Sequence, residues 1–131
     1  MKLLLDTHVW IWSLLEPERL VPAVQSELRS PGTEIWLSPI SIWEALMLVE
    51  RGRIAVSGEP RGWVQEMVRA VPRREAPLTH EVALASREVE LPHQDPADRF
   101  LAATAQVYGL TLVTADEQLL AARGLALLAN R

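Results

Sequence analysis

The chain has 131 residues, of which 49% are hydrophobic and 23% charged, a composition typical of one globular domain spanning residues 1–131. It contains no cysteine, which excludes a disulfide framework and a thiolate metal site and favours a cytoplasmic protein. The net charge of −4 argues against general electrostatic binding to nucleic acid. However, 12 of the 13 basic residues are arginine, a residue suited to binding anionic partners.

The first half of the chain predicts two short strands, each followed by a helix. An apolar run at residues 3–5 ends at Asp6, and apolar spacing over residues 7–15 predicts a helix. A short helix over 22–28 and a strand over 34–37 follow. Ser38 and Pro39 then form a typical helix N-terminus, which opens a helix that extends to about residue 50. Asp6 and His8 interrupt the apolar start, so we expect no signal peptide. No apolar stretch reaches the length needed to span a membrane.

The middle of the chain, residues 51–74, is its least regular and most basic part. This segment contains six arginines and only two glutamates, so its local net charge is +4. A helix is predicted over residues 62–70. The excess of arginine indicates either contact with a polyanion or an acidic partner, or simply a solvated face.

The last part of the chain again alternates strands and helices. It predicts an edge strand over 75–78 that Pro77 weakens, a helix over 79–88, a loop over 93–96 and an alanine-rich helix over 97–108. A strand at 110–113, a short helix from Asp116 to about residue 122 and a strand at 125–128 follow. This alternation predicts a three-layer α/β sandwich with a central, mainly parallel sheet, whose ligands bind at the carboxyl ends of the strands.

Asp6 and Glu44 carry the first two candidate carboxylates. Asp6 directly follows a strand, as Asp116 does later in the chain, so the two share one crevice if their strands are neighbours. Glu44 lies on a mostly apolar helical face, which indicates that its carboxylate points inward. The alternative is a capping box in which Glu44 is the reciprocal partner of Ser41.

Asp98 shares an apolar helical stripe with Leu101 and Ala105, which indicates that it faces the sheet. The alternative is a second capping box with Asp95 as its first member. Asp95 itself precedes Pro96 and is best explained as a helix N-cap. Asp116, taken alone, is a plausible N-cap as well.

Together these four carboxylates would place several negative charges in one pocket without a lysine. Like charges at such distances raise one another's pKa values, and a divalent cation removes the conflict. Oxygen ligands of this kind suit Mg²⁺ or Mn²⁺, which can activate water for attack on a phosphodiester. The three histidines, His8, His80 and His93, are scattered and are interpreted as ordinary polar residues, and the serines and threonines as caps and hydrogen-bond partners.

Four stretches carry a resemblance that covers essentially the whole chain. They are LLLDTH at the start, SIWE around Glu44, HQDPADRFLAATA around Asp98 and LVTAD ending at Asp116. In this order and spacing they resemble the acidic motifs of PIN-domain ribonucleases, and specifically of the toxins of bacterial or archaeal VapBC-type toxin–antitoxin pairs.

The resemblance implies a catalytic site made of four acids, with Thr7, Thr114 and Asp95 in supporting positions. The acids are Asp6, Glu44, Asp98 and Asp116. It implies that Asp6 and Asp98 hold Mg²⁺ or Mn²⁺, with the other two acids contributing directly or through water. It also implies an RNA substrate, homodimers and inhibition by a cognate antitoxin. The third motif offers two carboxylates, Asp95 and Asp98.

Two other classes remain open on the sequence alone. A receiver-like phosphoacceptor domain has similar length and a Mg²⁺-binding acidic pocket, but it needs an acidic pair after its first strand and a lysine near its last. Here Thr7 and His8 follow Asp6, and Lys2 is the only lysine. The other class is a catalytically inactive module that binds RNA or protein.

Overall fold

This computed structural model describes residues 1–71 and 73–131 of the chain. The strands are β1 (Lys2–Leu5), β2 (Glu34–Leu37), β3 (Arg74–Glu75), β4 (Thr111–Thr114) and β5 (Ala126–Ala129). The helices are α1 (Thr7–Leu15), α2 (Pro22–Arg29), α3 (Pro39–Glu50), α4 (Pro60–Ala70), α5 (His80–Ala85), α6 (Pro96–Tyr108) and α7 (Glu117–Leu120). A 3₁₀ turn at Pro17–Arg19 joins α1 to α2.

The five strands form one sheet in the order β3-β2-β1-β4-β5, and each neighbouring pair is parallel. The first strand is therefore the central one, and the chain builds the sheet outward on both sides of it. A crevice opens at the carboxyl ends of the strands where the order changes direction, here between β1 and its neighbours β2 and β4.

Consecutive side chains of β1 are buried on opposite faces of the sheet. Leu3 and Leu5 are buried in the core formed with α1 to α4, whereas Leu4 is buried in a second core with α6 and α7. Successive side chains of a strand point to opposite faces, so three consecutive leucines serve both layers. This is the three-layer parallel α/β sandwich that the sequence predicts.

Local capping signals account for the start of α3 and the end of α6. Ser38 accepts a hydrogen bond from the Ile40 N–H at the start of α3, with Pro39 as the first helical residue. Gly109 ends α6 with a φ of 65°, a left-handed conformation that glycine adopts without steric cost.

Several predicted boundaries are wrong. The predicted strand at residues 75–78 is only Arg74–Glu75, because Pro77 has no N–H with which to continue the ladder. The helix predicted over 79–88 is α5, which ends at Ala85. The fourth helix begins two residues earlier than predicted, with Pro60 in its first turn. The strands β4 and β5 are each displaced by one residue, and α7 ends at Leu120 rather than near residue 122.

None of the helices within residues 1–71 and 73–131 combines the length and apolar character that crossing a bilayer requires.

Candidate functional site

Asp6 lies at the end of the central strand and begins α1. Its backbone N–H donates to the Val113 carbonyl of β4, and its Oδ1 accepts from the Thr7 N–H at 2.7 Å. Its Oδ2 accepts from the Thr114 hydroxyl at 2.6 Å. With only 9% of its surface exposed, the Asp6 carboxylate is held from two directions at the base of the crevice.

The Thr114 side chain, at the end of β4, forms hydrogen bonds with both Asp6 and Asp116. While its hydroxyl donates to Asp6, its Oγ1 accepts the Asp116 N–H at 3.0 Å. The Asp116 side chain caps α7 by accepting from the N–H groups of Gln118 and Leu119. Asp116 therefore adopts the N-cap geometry and also lies beside the crevice, so the two interpretations of this residue are compatible.

Glu44 reaches the crevice from α3 through Thr7. The Thr7 Oγ1 lies 2.6 Å from Glu44 Oε1 and 2.9 Å from Ser41 Oγ. A hydroxyl has one hydrogen to donate, and the closer carboxylate is the stronger acceptor, so Ser41 supplies the other hydrogen bond. The proposed capping box is wrong, because Ser38 caps α3 and Ser41 lies buried inside the helix.

Asp98 lies in the first turn of α6, above the N-cap that Asp95 forms. Asp95 Oδ1 accepts from the N–H groups of Ala97 and Asp98, as expected for a helix that begins with Pro96. The Asp98 side chain instead faces His93, whose Nε2 lies 3.2 Å from Asp98 Oδ2. The two carboxylates of the third motif therefore occupy different positions, one capping the helix and one lining the crevice.

Burial and repulsion from neighbouring acids raise the pKa values of Asp6, Glu44 and Asp98. Burial and then the charges of Asp95, Asp6, Asp116 and Glu44 raise the pKa of Asp98 to about 7. Burial also raises the pKa of Glu44, with Asp6 and Asp95 adding to the rise and the Thr7 hydrogen bond opposing it. Burial likewise raises the pKa of Asp6, against the hydrogen bonds from Thr114 and Thr7.

An open depression runs along the outer side of this group. It is lined by His93, Asp95, Asp98, Asp116, Glu117 and Gln118. In the part of the chain that the structure describes, no three histidine or acidic side chains stand close enough together to form a ready-made cation site. Hydrogen bonds through Thr7 connect Asp6 to Glu44, and hydrogen bonds through Thr114 connect Asp6 to Asp116. Asp98 lines the same depression as Asp116, so the predicted acids lie around a common crevice.

Two residues of this region were missed by the sequence interpretation. His93 was treated as an ordinary polar residue, yet it contacts Asp98. Arg99 is buried and donates to the backbone carbonyls of Ser86, Val89 and His93. An arginine directly after Asp98 on a helix whose neighbours are mostly apolar was the one available signal for Arg99.

A parallel α/β sheet with several carboxylates grouped at the carboxyl ends of its central strands defines a class of domains with an acidic, oxygen-lined pocket. Within that class, the PIN domain matches residues 3–125 of this chain. The chain therefore belongs to the PIN-domain family. This membership rules out the receiver-like alternative.

One related sequence supports the same assignment, and two solved structures share the fold. The chain is 36% identical over 119 residues to Ribonuclease VapC22 of Mycobacterium tuberculosis, and the match covers 88% of each protein. Its fold is similar to a chain of the VapBC2 structure from Rickettsia felis, with a TM-score of 0.72, 16% identity and 98% of both chains covered. It is also similar to a chain of FitAcB from Neisseria gonorrhoeae, with a TM-score of 0.67, 24% identity and 98% and 97% coverage.

Proposed function

We propose that this protein, as one PIN-like domain over residues 1–131, is a metal-dependent endoribonuclease that acts as the toxin of a toxin–antitoxin pair. The observation that carries the proposal is the crevice around β1, where the charges of Asp6, Glu44 and Asp116 all act on Asp98 and contribute to its raised pKa. The similarity to Ribonuclease VapC22 supports RNA as the substrate.

The donor chemistry of the crevice fits a hard divalent cation. Its acids offer only oxygen ligands, and Mg²⁺ and Mn²⁺ prefer such ligands together with water and phosphate oxygens. The raised pKa of Asp98 reports charge repulsion in addition to burial, and a cation relieves that repulsion. We assign the first ligands to Asp6 and Asp98, with Glu44 and Asp116 contributing directly or through water.

When bound, such a cation supplies Lewis-acid stabilisation of a phosphodiester and lowers the pKa of water. The residues of this chain hold the carboxylates ready for it. Thr114 orients Asp6 and Thr7 orients Glu44, each through a hydroxyl 2.6 Å from the carboxylate. Because burial and the neighbouring acids raise the pKa of Asp98, a proton would compete with a cation for this carboxyl near neutral pH, and cation binding should tighten as the pH rises.

The partners follow from the same proposal. The substrate is RNA, and the inhibitor is a cognate antitoxin. Proteins of similar fold from Klebsiella pneumoniae and Mycobacterium tuberculosis belong to toxin–antitoxin systems, which supports this choice of partner. We propose a homodimer acting in the cytoplasm, where a chain without cysteine needs no oxidising environment.

RNA cleavage by the purified protein tests the enzymatic part of this proposal. We expect labelled RNA to be cut with Mg²⁺ or Mn²⁺ and to stay intact in EDTA. Asp6→Asn should lower the rate by about 10²–10³-fold, because the variant loses a charge at the base of the crevice. Its far-ultraviolet circular dichroism should match the wild type, since asparagine still accepts the Thr7 N–H.

The possible outcomes separate the candidate functions. Cleavage that persists in EDTA or in pure Asp6→Asn contradicts the metal site. RNA binding without cleavage under any metal identifies an inactive binding module instead. A short neighbouring reading frame whose product abolishes cleavage supports the toxin assignment, whereas cleavage insensitive to that product contradicts it.

A further inference from the structure

A groove runs along α1 from the edge of the acidic crevice to the 3₁₀ turn that follows the helix. It has a volume of about 600 Å³. Residues of α1 and the 3₁₀ turn form one wall, and residues of α3 and the segment after it form the other. The members used below are His8, Trp12, Arg19, Leu48, Arg53 and Ile54. None of them belongs to the proposed ligand set.

The groove begins beside the acids. His8 is an exposed residue in the first turn of α1, two residues after Asp6. It directly follows Thr7, whose hydroxyl contacts Glu44. Since an α-helix rises about 1.5 Å per residue, Trp12 lies about 6 Å further from the crevice along the axis of α1. A polymer whose reacting group lies at the acids therefore meets His8 first when it enters the groove.

Three flat side chains follow one another along the α1 wall. The centroids of the His8 and Trp12 rings are 5.7 Å apart, with 49° between the ring planes. The Arg19 guanidinium lies over the Trp12 ring, 4.4 Å from its centroid. Trp12 is half-buried and packs against the core, together with Leu48 and Ile54 of the opposite wall. The groove therefore offers two exposed flat groups, His8 and Arg19, that are both supported by Trp12.

The charge of the groove favours a polyanion. Arg19 and Arg53 both line it, together with one acid, Glu16, whose carboxylate lies 3.1 Å from the Arg19 guanidinium. A net positive groove attracts phosphates. Imidazole rings and guanidinium planes are also surfaces on which unpaired bases stack. An acidic peptide would pair with the arginines but would make no particular use of the flat groups, so the combination favours single-stranded RNA.

We propose that this groove binds unpaired nucleotides next to the scissile phosphate, with one base stacked on the His8 ring and a further base on the Arg19 guanidinium. The proposal rests on the function proposed above and specifies the substrate class: the RNA is single-stranded where it enters the groove. Bases inside a duplex are stacked on their neighbours and present no free face to these side chains.

Matched substitutions separate stacking from charge and from local structure. All are made in Asp6→Asn, the parent for binding experiments, so that the RNA is not cut. His8→Phe keeps a flat ring at the start of the groove, whereas His8→Leu replaces it with an apolar group that is not flat. Arg19→Lys keeps the positive charge beside Glu16 and loses the plane. His80→Leu, at the exposed start of α5, is the matched control for His8→Leu.

RNA affinity, measured by fluorescence anisotropy at one fixed salt concentration, is the primary readout. The probes are a labelled single-stranded oligoadenylate and an oligomer of the same length whose sugars carry no base. We expect His8→Leu and Arg19→Lys each to bind oligoadenylate about fivefold more weakly than the parent, while His8→Phe and His80→Leu stay within about twofold. The abasic oligomer should bind equally to the parent and to every variant, because the lost contact is to a base, and this result also shows that the variants are folded.

Three results overturn the proposal. The first is parent-like oligoadenylate affinity in both His8→Leu and Arg19→Lys; if these variants then fail to bind the product of the neighbouring reading frame, the groove is a protein site. The second is an equal loss with the abasic oligomer, which would assign the groove to phosphate contact. The third is a loss in His8→Phe as large as that in His8→Leu, which would exclude stacking on a flat ring.

The same measurements separate this proposal from the ribonuclease proposal. If the parent shows the expected stacking but the protein with Asp6 leaves RNA intact under every metal, only the ribonuclease proposal is contradicted. If the protein with Asp6 cleaves RNA but the groove variants bind oligoadenylate as the parent does, only the groove is contradicted.

Discussion

The crevice has two halves that are held in different ways. The inner pair, Asp6 and Glu44, receives short hydrogen bonds from Thr114 and Thr7, side chains supplied by other elements of the fold. The outer pair, Asp98 and Asp116, lies at the starts of α6 and α7, and there Asp116 accepts from backbone N–H groups of its own helix. The inner pair is therefore a product of tertiary packing, and the outer pair depends largely on local helix chemistry.

This difference changes the electrostatics of the two halves. The hydroxyl donors oppose the rise in pKa that burial causes in Asp6 and Glu44. For Asp98, the named contributions to its pKa all raise it, and all four neighbouring acids are among them. The outer pair is accordingly the half in which a cation, or its removal, should change the properties of the protein most.

The largest effect should come from exchanging the two carboxylates of the third motif for amides. Asp98→Asn should reduce RNA cleavage by about 10²–10³-fold, because it removes a charge whose proposed role is to bind the cation. Its melting temperature in EDTA should be unchanged or slightly higher, since repulsion among the remaining acids falls. Asp95→Asn should keep most activity, because asparagine caps a helix nearly as well as aspartate. Activity lost in Asp95→Asn and kept in Asp98→Asn would mean that the ligand and the cap are assigned the wrong way round.

The inner pair can be tested by removing one hydroxyl. Thr114→Val leaves buried Asp6 Oδ2 and the Asp116 N–H without their hydrogen-bond partner, so it should lower the free energy of unfolding by about 1–3 kcal/mol. The control is Thr104→Val, another buried threonine, whose hydroxyl donates only to the Phe100 carbonyl of its own helix. That variant should cost less than about 1 kcal/mol, because the carbonyl keeps its helical N–H partner. Equal losses in urea unfolding would contradict a special role for the Thr114 hydroxyl.

Stability without metal should fall as the pH rises from about 4 to about 7. The folded state holds a proton on Asp98 up to a pKa of about 7, while the unfolded chain releases it near pH 4, so the folded state binds more protons across this window. The melting temperature in EDTA should therefore drop by about 3–8 °C over the window. Asp98→Asn should show a smaller drop, and the difference between the two curves isolates Asp98 from the inner pair, which contributes in the same direction. Parallel curves would show that Asp98 titrates normally.

The smallest effect is expected outside both halves, in the basic segment. The Arg74 Nε lies 3.2 Å from Glu34 Oε1, at the start of β2 and so away from the carboxyl ends of the strands. Arg73→Ala with Arg74→Ala should weaken RNA binding about two- to threefold and lower the salt slope by at most about 2. Binding is best measured in the Asp6→Asn background, so that the RNA is not cut. If the salt dependence of RNA binding is the same as in the parent protein, this segment is a solvated face that does not contact RNA.

The parts of the fold that sequence predicted well are those with local causes. Asp95 before Pro96, and Ser38 before Pro39, mark helix starts because the N-cap bonds span only two or three residues. The end of α5 depends in contrast on the rest of the molecule, because Arg99 of α6 donates to the carbonyl of Ser86 directly after that helix. No local signal linked His93 to Asp98, because their contact requires the segment between α5 and α6 to fold back along α6.

The sequence by itself determined the alternation of strands and helices, the caps and the four candidate acids, since periodicity and capping act over a few residues. Tertiary structure alone decided that β1 lies between β2 and β4, and so which acids meet. Thr7 and Glu44 are 37 residues apart, and Asp6 and Thr114 are 108 apart. Contacts at such separations follow from strand order and from the packing of α3 against α1, and these are set by the burial of the whole core rather than by any local pattern.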